Sequence, residues 1–162
     1  MTVVKTKEVM NMIGKSMPVI RLSANGEKEV DSTQLHGKKV VIYFYPKDNT
    51  PGCTMETKDF SKLYTQFKEA GAEVIGISRD SVKSHDKFAD KLCVPFLLGS
   101  DEEGEVCQEF GCWVEKSMFG KKYFGIERST FVIDDKGIIK NEWRKVKVAG
   151  HAQEVLDYIK EM

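Results

Sequence analysis

The sequence predicts an α/β fold: a mixed central sheet flanked by helices, with a β-hairpin at its N-terminal end. Three observations carry this. KKVVIYFYP is an apolar run rich in β-branched and aromatic residues, as a central strand covered on both faces requires. Strand-like segments then alternate with stripes of helical period, the order of an α/β sheet. Two pairs of strand-like arms flank turn signals, one early and one late, and the late pair makes the sheet mixed because a hairpin is antiparallel. A chain of 162 residues fits one domain and can bury a core without disulfides or metals.

In chain order, PVIRLSANGEKEV places two arms around Asn25-Gly26. The KKVVIYFYP strand follows. Phe60, Leu63, Tyr64 and Phe67 recur at i, i+3, i+4, i+7, which predicts a helix from about Cys53 to Gly71, a glycine suited to a helix end. AEVIGIS reads as a second strand, and His85, Phe88, Ala89 and Leu92 as a second helical stripe. Phe96 to Leu98 suits a short strand, and EEGEVCQEF a short helix ending near Gly111. STFVID and GIIKNEWR flank Asp135-Lys136 as the late hairpin, and Ala152, Val155, Leu156 and Ile159 form a closing helical face. A thioredoxin-like fold would have this order. Repeats, low-complexity tracts and Pro/Gly linkers are absent from the sequence.

The 25 basic and 25 acidic side chains cancel, so no basic field argues for nucleic acid or an anionic membrane as partner. Charges at Lys5, Lys7 and Glu8 interrupt the start, MTVVKTKEVMNMIGK, which therefore lacks the apolar segment of a signal peptide. The longest aliphatic-aromatic run, Val40 to Tyr45, is too short to span a bilayer. These features predict a cytoplasmic protein. The cysteines, at 53, 93, 107 and 112, contain no Cys-x-x-Cys. Cys107 and Cys112 have no histidine at ligand spacing, which argues against structural zinc.

The segment Tyr45-Pro46-Lys47-Asp48-Asn49-Thr50-Pro51-Gly52-Cys53-Thr54 lies where the central strand ends and the first long helix begins, the usual place for a ligand site in an open α/β sheet. Two prolines and a glycine restrict the turn. Cys53 falls at the helix start, where unpaired N–H groups and the helix dipole favour negative charge and so the nucleophilic thiolate. A thiolate that attacks a substrate also needs donors for the charge that develops on the departing group. Thr50 offers a hydroxyl, and Gly52 and Cys53 offer backbone N–H groups. No base in the loop is well placed, since Lys47 reads as solvated, so a cation must come from elsewhere in the chain.

Pro46-x-x-x-Thr50-x-x-Cys53 resembles the active-site signature of the peroxiredoxins, and FYPKDNTPGCT resembles their bacterioferritin comigratory protein, or peroxiredoxin Q, subgroup. The likeness extends through PFLLGSDEEGEVCQEFG and EKSMFGKKYFGIERSTFVID and spans residues 16–160. It implies a thioredoxin-like fold and a thiol peroxidase that reduces hydrogen peroxide and organic hydroperoxides through a Cys53 sulfenic acid. Thr50 and Arg128 would align and polarise the O–O bond, with Arg128 arriving from a later strand, and the turn at Pro46 would shield Cys53. No metal or bound organic cofactor is implied. The reductant would be thioredoxin, glutaredoxin or another thiol, and the protein a monomer or weak dimer.

The sequence departs from its relatives at the resolving cysteine. One usual position holds Lys58 and the other Ala89, which leaves Cys93 as the nearest candidate. Cys93 also suits core packing, and Cys107 suits it more. Thr50 could bond only its own turn, and by charge pattern alone Arg128 is a surface residue. Trp113, Phe119, Tyr123 and Phe124 suit either a pocket mouth, a docking site for the reductant or scattered surface aromatics. A lone reactive thiol equally suits a redox-sensing interaction protein. A thioredoxin-type oxidoreductase would want a Cys-x-x-Cys in place of TPGCT.

Overall fold

A computed structural model describes residues 11–162. Most of the N-terminal stretch read above for a signal peptide, residues 1–10, lies outside the described residues.

The chain begins with the hairpin of strands β1 (Arg21–Ala24) and β2 (Lys28–Asp31). Its turn, Asn25-Gly26-Glu27, takes two left-handed steps, at Gly26 (φ 70°) and Glu27 (φ 57°). Strand β3 (Lys39–Phe44), helix α1 (Pro51–Glu69), strand β4 (Ala72–Ser78), helix α2 (Val82–Leu92) and strand β5 (Leu97–Ser100) follow. Next come the short helix α3 (Glu105–Glu109), strands β6 (Trp113–Met118) and β7 (Lys121–Ile126), the late hairpin β8 (Ser129–Ile133) and β9 (Ile139–Trp143), and helix α4 (His151–Glu161).

The main sheet runs β2-β1-β5-β4-β3-β8-β9. Strands β3, β4 and β5 are parallel, and the hairpins add antiparallel strands on both sides. Alternation along β3 builds two cores, because successive side chains leave opposite faces. Val41, Tyr43 and Tyr45 enter the core formed with α1, α2 and α4. Val40, Ile42 and Phe44 enter the other, with Val106, Cys107 and Phe110 around α3. The periodic residues of α1 face the first core, where Phe60 and Phe67 are fully buried. No helix among the described residues is long and apolar enough to cross a membrane.

The ribbon β6–β7 is absent from the sequence-based order, which left Trp113, Phe119, Tyr123 and Phe124 unassigned. Among the described residues its strands pair only with each other, so their outer residues are exposed and carry no apolar alternation. The turn, Phe119-Gly120, lacks the Asn-Gly or Asp-Gly signature, although both residues are left-handed (φ 53° and 79°).

Candidate active site

The topology brings two distant segments together. The chain leaves β3 through residues 45–50 and enters α1, with Thr50 as the N-cap in extended geometry and Pro51 as the first helical residue. Proline suits that position because its fixed φ is already helical and its missing N–H would have had no partner. Cys53 is thus the third residue of α1, and among the described residues no side chain caps this helix start. Strand β8 lies antiparallel against β3, with Ser129 opposite Phe44. Arg128 therefore stands beside the segment that leaves β3. It sits in the link between β7 and β8 rather than in a strand.

Cys53 is fully buried. Arg128 Nη2 donates to its Sγ at 3.3 Å, while Nη1 donates to Glu56 Oε1 at 2.6 Å. One guanidinium thus spans a sulfur and a carboxylate set three residues apart on α1. Gly52 makes room for it: a Cβ there would lie 3.1 Å from Nη2. Glu56 is 1% exposed and its Oε2 has no hydrogen-bond partner among the described residues. Burial pushes its carboxyl up to about 7, and Arg128 offsets this only in part. Burial works against the Arg128 charge too, but Glu56 and Cys53 outweigh it and raise its pKa.

Three further titratable residues stand near. Lys116, half-buried on β6, is lowered by burial and then by Arg128, while Glu127 and Cys53 pull the other way. Glu127 is buried and its Oε1 has no hydrogen-bond partner among the described residues. Buried His151 lies 2.8 Å from Thr130 Oγ1 through Nε2. Burial holds this histidine down at about 4; Glu154 opposes the shift and Arg128 adds to it.

The remaining sequence-derived candidates are placed less centrally. The Thr50 hydroxyl donates to the Lys47 carbonyl at 2.8 Å, so its single proton is engaged within its own turn. Oγ1 keeps lone pairs and is available as an acceptor. Pro46 is exposed in the same turn. Cys93 is exposed at the C-cap of α2 in left-handed conformation (φ 54°), whereas Cys53 lies beneath Arg128, and both are free thiols. Lys58 is exposed on α1 and Ala89 is buried on α2. Cys107 and Cys112 are buried in the opposite core, each donating its thiol to a backbone carbonyl. A groove of about 390 Å³ runs between the N-terminal hairpin and Pro95–Leu97, and its walls include neither Cys53 nor Arg128.

Sequence reasoning missed Glu56, Lys116 and Glu127. Glu56 had a usable signal, its place one turn after Cys53 on the same helix. Lys116 and Glu127 had none, because the ribbon that carries Lys116 beside the site was itself unrecognised.

The comparisons with known proteins agree in one direction. The model of the AhpC/TSA family matches residues 13–142. A putative peroxiredoxin bcp of Coxiella burnetii is 48% identical, covering 89% of this chain and 95% of its own. Peroxiredoxin Bcp of Bacillus subtilis is 46% identical over 93% of this chain and 96% of its own. Among solved structures, Xanthomonas campestris peroxiredoxin Q superposes with a TM-score of 0.84 at 48% identity, covering 88% of this chain and 90% of that one. A Xylella fastidiosa PrxQ mutant gives 0.88 at 42% identity, over 94% and 96%. Another Xanthomonas campestris structure concerns the alkyl peroxide reduction activity of its bacterioferritin comigratory protein.

Proposed function

The chain belongs to the AhpC/TSA family, among peroxiredoxins of the Bcp/PrxQ kind, and on that premise we propose that Cys53 is its peroxide-attacking thiol. The protein is a thiol-dependent peroxidase. One contact carries the assignment to Cys53: the 3.3 Å hydrogen bond from Arg128 Nη2 to its sulfur. A cationic donor aimed at sulfur favours the thiolate and stays in place as negative charge moves from sulfur to the departing oxygen.

The step balances simply. The Cys53 thiolate attacks the distal oxygen of ROOH, the S–O bond forms as the O–O bond breaks, and RO⁻ takes a proton to leave as ROH, or water when R is hydrogen. Cys53 is left as sulfenic acid. Glu56 fixes the plane of Arg128 through Nη1, so that Nη2 keeps facing the reacting atoms. The uncapped N–H groups of Gly52 and Cys53 are further donors. Because the Thr50 proton is used on Lys47, Thr50 acts as acceptor for the peroxide O–H rather than as donor. We assign to Pro46, exposed in the turn that leads to Cys53, the outer wall of the site. Hydrogen peroxide and small organic hydroperoxides are the substrates this enclosed sulfur suits.

A thiol then attacks the sulfenic sulfur and water leaves. We assign that thiol to an external reductant, such as thioredoxin or glutaredoxin, before Cys93, because Cys53 is buried and Cys93 is exposed at the end of another helix. The protein would then act as a monomer or weak dimer in the cytoplasm. Intact mass after one equivalent of hydrogen peroxide, with a sulfenic-acid trap present, tests the assignment. The trapped adduct should form in the wild type and in the serine variants at 93, 107 and 112, and be absent from Cys53→Ser. Equal labelling of Cys53→Ser would refute it.

A further inference from the structure

We propose that Asp48 and His85 are positioning residues of the peroxidase reaction, a buried pair that clamps the turn 47–50 against helix α2. This rests on Cys53 as the attacking thiol. Asp48 lies in the loop beside the site, yet it is only 6% exposed, and His85 is fully buried. Aspartate is rarely buried without partners, and here three side chains supply them. Tyr45, just past β3, donates its hydroxyl to Asp48 Oδ1 at 2.6 Å. On α2, the Ser84 hydroxyl donates to Oδ2 at 2.8 Å and His85 Nδ1 lies 2.7 Å from the same atom. The other ring nitrogen, Nε2, lies 3.0 Å from the carbonyl of Gly99 on β5. Both ring nitrogens thus have a partner, Asp48 on one side and the Gly99 carbonyl on the other.

The backbone is tied down as well. Asp48 N–H donates to Asp80 Oδ2 at 2.8 Å, and the Ser78 hydroxyl holds that oxygen at 2.6 Å. The next residue, Asn49, is left-handed (φ 64°), and its Oδ1 accepts from Lys91 Nζ at 2.8 Å, a second tether to α2. Asp48, Asp80 and His85 place their donor atoms within 4.8 Å of one another, as a metal site would. Both Asp48 oxygens and Asp80 Oδ2 already accept hydrogen bonds, so the cluster is a closed network instead.

The consequence falls on the reaction. Lys47 O, which accepts from Thr50, and Thr50 itself flank Asp48 in one short turn that leads into Cys53. Hold Asp48 and the turn is held; release it and Thr50 drifts from the reacting atoms. A misplacement of about 1 Å costs on the order of 10²-fold in rate. The clamp also makes closure of the site depend on α2 being docked.

Two substitutions at one position test this by stopped-flow measurement of Cys53 oxidation by hydrogen peroxide. His85→Asn puts a donor where Nδ1 stood and keeps the bond to Asp48. His85→Gln reaches Gly99 instead and loses Asp48. His85→Gln should slow oxidation about ten- to a hundredfold, and His85→Asn should recover most of that loss. Equal slowing by both would make His85 a packing residue and overturn the proposal, as would a His85→Gln rate within about twofold of wild type. Should His85→Gln fail to fold, Ser84→Ala removes one half-buried bond to Asp48: a several-fold loss is expected, and none would overturn the clamp. Mass mapping of the added oxygen runs alongside. Oxygen found away from Cys53 in the wild type refutes the attacking thiol, and with it the premise. Normal labelling of Cys53 with unslowed variants refutes only the clamp.

Discussion

Cys53 and Cys107 hold the same place in their helices, the third residue, and both are fully buried. They differ in what fills the helix start. At α3 the Asp101 carboxylate takes the N–H groups of Val106 and Cys107, at 3.2 and 2.9 Å. Burial pushes the Cys107 thiol up to about 12, with the Asp101 charge adding to it and Arg79 opposing in part. The thiol donates its proton to Gly104 O at 3.2 Å. At α1 no side chain caps the start, and the group facing sulfur is the Arg128 guanidinium. A buried cysteine at a helix N-terminus is therefore not reactive by position alone. An anion already seated there cancels the advantage, and a cation completes it.

The sharpest way to break the contrast is to take the cation away. Arg128→Met should slow Cys53 oxidation by on the order of 10²–10³, the usual cost of one donor at a developing charge. Arg128→Lys should recover little, because an ammonium cannot bridge Sγ and Glu56 as the planar fork does. At Thr50, serine should keep most of the rate and valine should lose it, since the hydroxyl serves as acceptor while held on Lys47 O. Stopped-flow rates for Arg128→Lys or Thr50→Val within about twofold of wild type would remove that residue from the reaction.

The converse test frees the other helix start. Asp101→Asn removes the charge beside Cys107, so its thiolate should form at lower pH, read as the ultraviolet difference between Asp101→Asn with and without Cys107→Ser. Asparagine keeps one acceptor oxygen for these N–H groups, so the substitution removes the charge and not the whole contact. Peroxide should still leave Cys107 unmodified, because no guanidinium faces it with a free fork. An unchanged titration would mean that burial alone sets this thiol, and the comparison with Cys53 would lose its electrostatic half.

Most of the scaffold was legible because the elements that carry the cores repeat their period strongly. Strand β3 is apolar on both faces, and Phe60, Leu63, Tyr64 and Phe67 mark one side of α1. The ribbon escaped because it covers nothing on its outer faces. The site was legible only around its loop. Nothing local in GIERSTFVID says that β8 will lie antiparallel on β3, which is what carries Arg128 to Cys53; only the likeness to a known family singled it out. Asp48 and His85 are separated by 37 positions, and His85 read simply as part of a helical stripe. Strand order and the pairing of distant polar groups are tertiary facts without a period.

The smallest effect lies in how the Cys53 side carries protons. Glu56 and His151 both feel Arg128, and burial moves them to about 7 and about 4, from ordinary values of 4.5 and 6.5. A carboxyl raised on folding binds its proton more tightly in the native state. Its stabilisation is full below about 4.5 and is lost as pH rises through about 7. A histidine lowered on folding does the reverse. Its contribution is full above about 6.5 and is lost as pH falls through about 4. Between these limits the two slopes oppose, so stability by urea denaturation should be nearly flat from pH 4.5 to 6.5 in the wild type. Glu56→Gln should unmask a rise with pH and His151→Gln a fall, each at most about 1.4 kcal/mol per pH unit. The Asp101→Asn variant should keep the wild-type profile on this account, because Cys107 titrates far above the window. If His151→Gln acquired no slope, Arg128 would be holding Glu56 ionised through the whole range, and the cation on the Cys53 side would be shared between carboxylate and sulfur at every working pH.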